Sequence, residues 1–201
     1  MSTNAMVRVH RDAHLAERLL GAAQFLLDSE GIEGVTIRAC ARRAEVSHAA
    51  PAKHFPDRRS LLTRLAERCM ADLAEDVANR LGENHASPRA GLGAIADATV
   101  GYALVHPQRY RLMWRTDLLD SQDPALQRQT NRLFGQIETL VSSIEPPPGT
   151  TRETLVIAIC SAIHGYVSMR IDRNFRPASD ESMPRPRHFA LIDLLLGPAE
   201  G

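Results

Sequence analysis

Apolar residues in this chain recur at three- and four-residue steps in one segment after another, which is the period of helices rather than strands. Leu15, Leu19, Ala22, Ala23 and Leu26 share one face and predict a helix over about 12–29. Gly31 ends it, because glycine takes a left-handed cap without steric cost, and Ile32 and Val35 turn back toward the core. Ile37, Cys40, Ala41 and Ala44 form the next apolar face, opened by Thr36 as an N-cap, while Arg38, Arg42 and Arg43 point elsewhere. The pattern breaks at Ala44-Glu45-Val46. Ser47 then caps a brief helix over 48–54, closed by Phe55 in the core and by Pro56, which prevents continuation. Asp57 caps a long helix carrying Leu61, Leu65, Cys69, Leu73 and Val77, as far as a polar break at 82–87.

The second half is punctuated by proline. Ser87-Pro88 opens a helix that runs to Val105, and His106-Pro107 forces a boundary. A helix over 107–119 carries Tyr110, Met113 and Trp114. Asp123-Pro124 starts another, to 144, and the run from Glu145 to Gly149 stops it. Thr150 and Glu153 form a capping box for a helix to about 172. That helix is apolar on more than one side (Leu155, Val156, Ile157, Ile159, Ile163, Val167), so it should be covered on all sides, including by a partner subunit. A proline-rich surface loop follows at 176–186, and a last helix at 187–196 sets Phe189, Ile192 and Leu195 on one face. The expected fold is all-α with about nine helices: an N-terminal three-helix unit over 8–58 and a C-terminal helical bundle over 59–201.

Composition supports this and narrows the chemistry. Of 201 residues 44% are apolar, ample for a core, but only 4% are aromatic, which disfavours a β-sandwich. No apolar run approaches the roughly 18 residues of a membrane span. The start, MSTNAMVRVHRD, lacks the apolar core of a signal peptide, so a cytoplasmic protein is expected. Cys40, Cys69 and Cys160 lie scattered in apolar helical patterns and read as buried free thiols. Without CxxC, HExxH or histidines at ligand spacing, neither metal nor cofactor is expected. Paired carboxylates in a plausible cleft and a nucleophile elbow are both missing. Cys160 and His164 are four apart on one helix face but have no visible orienting group, so the chain does not read as an enzyme.

Net charge is zero, yet charge is not evenly spread. From Arg38 to Arg64 seven cations (Arg38, Arg42, Arg43, Lys53, Arg58, Arg59, Arg64) face two acids (Glu45, Asp57), and a local basic face is what phosphate binding requires. The same stretch has helix-turn-helix form. Ala41 and Ala44 let a second helix cross closely, 44–47 supplies a tight turn, and His48, Ala49, Ala50 and Lys53 lie on the free side of the second helix. Ala49 is short enough to meet a thymine methyl, and His48 or Lys53 can reach base acceptors or phosphate. Thr36 and Ser47 set helix N-termini where phosphates bind.

The order helix, Gly31, TIRACARRAEVSHAAPAKHF, then DRRSLL resembles the DNA-binding domain of the tetracycline-repressor (TetR) family over about residues 15–65. HPQRYRLMW and IHGYVSM resemble the two best-marked stretches of a ligand-binding domain subtype named for a W-H-G signature. The resemblance implies a homodimeric, ligand-responsive repressor released from a palindromic double-stranded DNA operator by a small apolar effector. It implies DNA contacts from Thr36, Arg43, Ser47, His48, Ala49, Lys53 and His54. It implies an effector cavity among the helices of 88–172, with Tyr102, Tyr110, Met113, Trp114, Phe134, Ile137 and His164 as lining. It implies a four-helix dimer interface from the last two helices, with Ile159, Ile163, Val167, Phe189 and Ile192. Three positions depart from the family pattern: Glu45 stands where glycine is usual in the turn, Ala52 where a phosphate-contacting tyrosine is usual, and Cys160 at the tryptophan of the signature. These motivate an alternative, a ligand-binding or interaction protein that keeps the fold and binds DNA weakly.

Overall fold

The computed structural model describes residues 3–47, 50–82, 86–174 and 185–197. Among them are eight α-helices and no strand: α1 (Thr3–Glu30), α2 (Ile37–Arg43), α3 (Arg58–Gly82), α4 (Pro88–Val105), α5 (Pro107–Met113), α6 (Pro124–Ser142), α7 (Arg152–Ile171) and α8 (Arg187–Leu196). Two 3-10 turns, Ile32–Gly34 and Pro51–Lys53, join them. Most of the loop expected at 176–186 lies outside the described residues.

Local chemistry sets these boundaries. Thr36 accepts from the Ala39 amide at 3.1 Å and Ser87 from the Ala90 amide at 3.2 Å, capping α2 and α4. Asp57 and Ser60 cap α3 reciprocally: Asp57 Oδ1 accepts from the Ser60 amide at 2.7 Å, and Ser60 Oγ accepts from the Asp57 amide at 3.3 Å. Gly31, at φ 75° and ψ −175°, ends α1 in a region nearly reserved for glycine. The cap of α7 is Thr151, accepting from the Thr154 amide at 3.1 Å, rather than the expected Thr150, whose own amide donates to the Pro147 carbonyl at 3.0 Å. Helix α5 stops at Met113, short of the expected 119, where Arg115 grips Asp117 through two bonds of 2.8 Å and the chain turns instead.

The chain forms two compact units. The first joins residues 1–69 to 108–127, and the second joins 70–107 to 128–201. In the first unit α1 packs on α2 and buries Leu19, Ala23, Leu27, Val35, Cys40, Ala41 and Phe55. Arg109 of α5 binds Asp28 of α1 through bonds of 2.6–3.2 Å, which fixes α5 on this unit. In the second unit α4, α7 and α8 pack pairwise around Leu92, Ile95, Leu155, Ile159, Ile163, Val167 and Ile192. Gly93 makes the α4–α8 contact possible, since a Cβ there would lie 2.6 Å from the Phe189 ring.

Helix α7 has the length and apolarity of a membrane span, contrary to the expectation that no segment would, and only 28% of that stretch is buried within the chain. Its isoleucines and valines supply two apolar sides, of which the chain's own core uses one.

Candidate nucleic-acid interface

The interface is built on α2 and the turn after it. The Cys40 carbonyl takes the Ala44 amide at 2.8 Å, the Arg42 carbonyl takes the Glu45 amide at 3.2 Å, and the Ala41 carbonyl takes the Val46 amide at 3.0 Å. This is a Schellman closure, and its left-handed position is Glu45 at φ 53°. Arg18 of α1 adds a guanidinium bond to the Ala44 carbonyl, satisfying a helix end that α2 leaves open.

The second half of the element differs from a regular helix. Pro51–Lys53 is a 3-10 turn. Pro51 has no N–H to give the Ser47 carbonyl, which the Ala50 amide takes at 3.0 Å. The His54 and Phe55 amides both donate to the Pro51 carbonyl, at 2.9 and 2.8 Å, and Phe55 is buried. Thr36, Ser47, Ala52 and Lys53 are exposed. His48 and Ala49 lie outside the described residues. His54 is half-buried beside Phe55 and faces a cavity of the first unit.

Tertiary contacts thin the basic patch. Arg58 donates to the Val35 and Ile32 carbonyls at 2.8 and 2.7 Å and pairs with Glu33. Arg59 is tied to the Leu119 carbonyl, and Arg64 pairs with Glu67 at 2.9 Å. Arg43 lies over the Phe25 ring, 3.1 Å from its centroid. Arg38, Arg42 and Lys53 have no such partner among the described residues and remain exposed. Sequence reasoning had no way to make this division, because the partners of Arg58 and Arg59 lie 23 to 60 residues away.

The other singled-out residues are divided between the units. Tyr110 and Met113 are buried and Trp114 half-buried in the first, with the Tyr110 and Trp114 rings edge-on at 5.9 Å. Tyr102 and Ile137 are buried and Phe134 and His164 half-buried in the second. Burial pushes the His164 pKa below the ordinary histidine value and the Cys160 thiol above its own, the reverse of what a thiolate–imidazolium pair needs. Ile159, Ile163, Val167 and Ile192 are buried within their own chain, and Phe189 is held between Gly93, His188 and Arg185. The outward apolar residues of α7 and α8 are Ile157, Met169 and Leu194, and Leu194 is 79% exposed. Between these helices runs a groove of about 440 Å³ lined by Ser161, Gly165, Leu191 and Leu194 among others.

Fold and site define a class: an all-helical protein with a capped, basic helix-turn element in one unit and a helical bundle in the other. Residues 92–186 match the family model described as "Tetracyclin repressor-like, C-terminal domain". It resembles a solved protein of unknown function from Rhodococcus sp. RHA1 at 25% identity, with 90% of each chain covered and a TM-score of 0.72. A bacterial regulatory protein in the TetR family from Rhodococcus RHA1 shares the fold at 18% identity (92% of this chain, 98% of that one, TM-score 0.64). The TetR family transcriptional regulator PfmR from Thermus thermophilus does so at 19% (92% and 97%, TM-score 0.62). No curated protein sequence matches.

Proposed function

We infer that this chain is a homodimeric DNA-binding transcriptional repressor whose grip on a palindromic operator is released by a small apolar effector. The observation that carries the reading is the α2 element itself. Its N-terminus is capped by Thr36, its turn is closed around Glu45, and Arg38, Arg42 and Lys53 are exposed without internal partners among the described residues. Exposed cations free of internal partners are what a phosphate backbone selects. His48 and Ala49, by their place in the sequence, would meet base edges.

The dimer reading is supported by α7 and α8, whose outward faces leave Ile157, Met169 and Leu194 uncovered, the last two lining the apolar groove. A second copy brings the same apolar patch and can cover it symmetrically. The effector is assigned to the C-terminal helices, and it acts by binding one arrangement of the dimer better than the other. Gel shifts with the DNA upstream of the chain's own gene test the reading. A retarded band that weakens with salt and is lost without the palindrome is expected; a salt-insensitive shift or none at all rejects it.

A further inference from the structure

Polar contacts tie α8 to the rest of the second unit near both of its ends. Toward the C-terminal end Asp193 accepts from Arg89 of α4 at 3.0 Å and also from Arg185. In the first turn His188 sets its Nε2 3.1 Å from Asp97 Oδ1 of α4. Between these points the Phe189 ring fills the space that Gly93 leaves, and Ile192 is buried. Of the side chains in these ties, the imidazole is the one whose ordinary titration falls between about pH 5 and about pH 8.

The surroundings of His188 suit a neutral ring. It is buried. From α4 it meets Asp97, whose other oxygen already takes Arg80 of α3. From α7 it meets the Tyr166 ring, 6.1 Å away on centroids, and Arg170, which donates to the Tyr166 hydroxyl at 3.0 Å. From its own stretch of chain come the Phe189 ring at 4.7 Å and Arg185. Arg80, Arg170 and Arg185 thus stand against Asp97, while Asp193, the partner of Arg185, is shared with Arg89. A fourth cation, on the ring, would be buried among these three. It would also sit at a helix N-terminus, where the dipole disfavours positive charge. Burial first, then Arg170 and Arg185, hold the His188 pKa below the ordinary 6.5 against the pull of Asp97.

The opposite side of the same ten-residue helix carries Leu191 and Leu194, which line the groove with Ser161 and Gly165 of α7. One short element therefore bears a buried titratable group inward and an apolar face outward. A proton on His188 is accepted more readily when the ring reaches water, so it favours the arrangement in which α8 is unseated. We propose that His188 is a pH latch on α8: when it takes up a proton, α8 loosens from α4 and the pairing of two copies across the α7–α8 face weakens. This rests on the dimer reading. A seated α8 refuses the proton, so the dimer is tightest above the ordinary histidine value of 6.5 and loosens as pH falls below it. By reciprocity, pairing of the subunits makes His188 harder to protonate.

Sedimentation velocity on the full chain at about pH 7.5 and about pH 5.5 tests the latch, with His188→Gln beside the wild type. Glutamine offers Asp97 an N–H donor but does not titrate. The wild-type dimer should weaken at least about tenfold across that interval, and the variant's by less than about twofold. Amide exchange should show α8 losing protection in acid relative to α4 in the wild type alone. A wild-type dimer of equal strength at both pH values, or a variant that weakens as much as the wild type, overturns the proposal. A chain that is monomeric even at the higher pH sinks the dimer reading, and with it the effect on pairing. If the variant fails to fold, the ring nitrogen resonances of wild-type His188 decide. Titration in step with dimer loss supports the latch, and a ring that titrates while the dimer stays intact overturns it.

Discussion

The amide of Val46 donates to the carbonyl of Ala41 at 3.0 Å, and Glu45 between them is held left-handed at φ 53°. A side chain in that conformation costs about 1 kcal/mol relative to glycine. Glu45→Gly should therefore raise the free energy of unfolding by about that amount, seen as a higher urea midpoint at unchanged slope. The substitution also removes an anion beside the basic face, so DNA affinity should rise with stability. A midpoint that stays put would mean the turn carries no strain.

Lys53 is the chain's only lysine, and it is exposed at the end of the 3-10 turn. A phosphate contact there contributes one released counterion. Lys53→Ala should weaken operator and random DNA alike and lower the slope of log affinity against log salt by about 1. Loss confined to the operator would assign Lys53 to base reading instead.

His188 gives the second unit a pH dependence. It is buried, its Nε2 lies 3.1 Å from Asp97 Oδ1, and Arg80 pairs with the same carboxylate. Tyr166 and Phe189 flank the ring, and Arg170 and Arg185 repel its proton. Burial is the largest effect and pushes its pKa below the ordinary 6.5, against the pull of Asp97. The unfolded chain thus takes up a proton near pH 6.5 that the folded chain refuses. This histidine's contribution is complete above that pH and is lost as pH falls below it. His164, also lowered by burial, acts with the same sign. The Tm should fall between about pH 7.5 and about pH 5.5, and His188→Phe should flatten part of that fall; an equal drop in the variant would place the effect elsewhere.

Much of the frame was legible because its signals are local. Ser87-Pro88 and His106-Pro107 mark both ends of α4, and α8 runs over the residues that its apolar spacing predicts. Legibility fails where neighbours are chemically alike or partners distant. Thr150 and Thr151 are equivalent caps on paper, and only the backbone path chooses Thr151. Seven cations close together in sequence look like one basic face, yet Arg58 and Arg59 are tied to backbone carbonyls far along the chain. Nothing local says that α5 packs on α1, since the Arg109–Asp28 pair spans 81 residues. The cavity at His54 escaped the sequence for the same reason, being assembled from four separate segments.

The two faces of α8 can be tested separately. Its inner face meets α4 where Gly93 admits the Phe189 ring, and a Cβ at Gly93 would sit 2.6 Å from two ring carbons. That ring cannot yield easily, with His188 4.7 Å away on centroids and the Arg185 guanidinium 4.9 Å from its centre. Gly93→Ala should cost about 1–3 kcal/mol of stability through overpacking. The outer face carries Leu194, 79% exposed. Leu194→Arg leaves the Gly93 contact untouched but puts a charge where a second copy would bury it. It should release monomer in sedimentation velocity at concentrations where the wild type is dimeric, while a monomeric chain keeps its helical circular dichroism. A Leu194→Arg protein that stays dimeric would move the interface off α8. A Gly93→Ala protein of unchanged stability would mean that α4 and α8 approach less closely than the Phe189 contact requires.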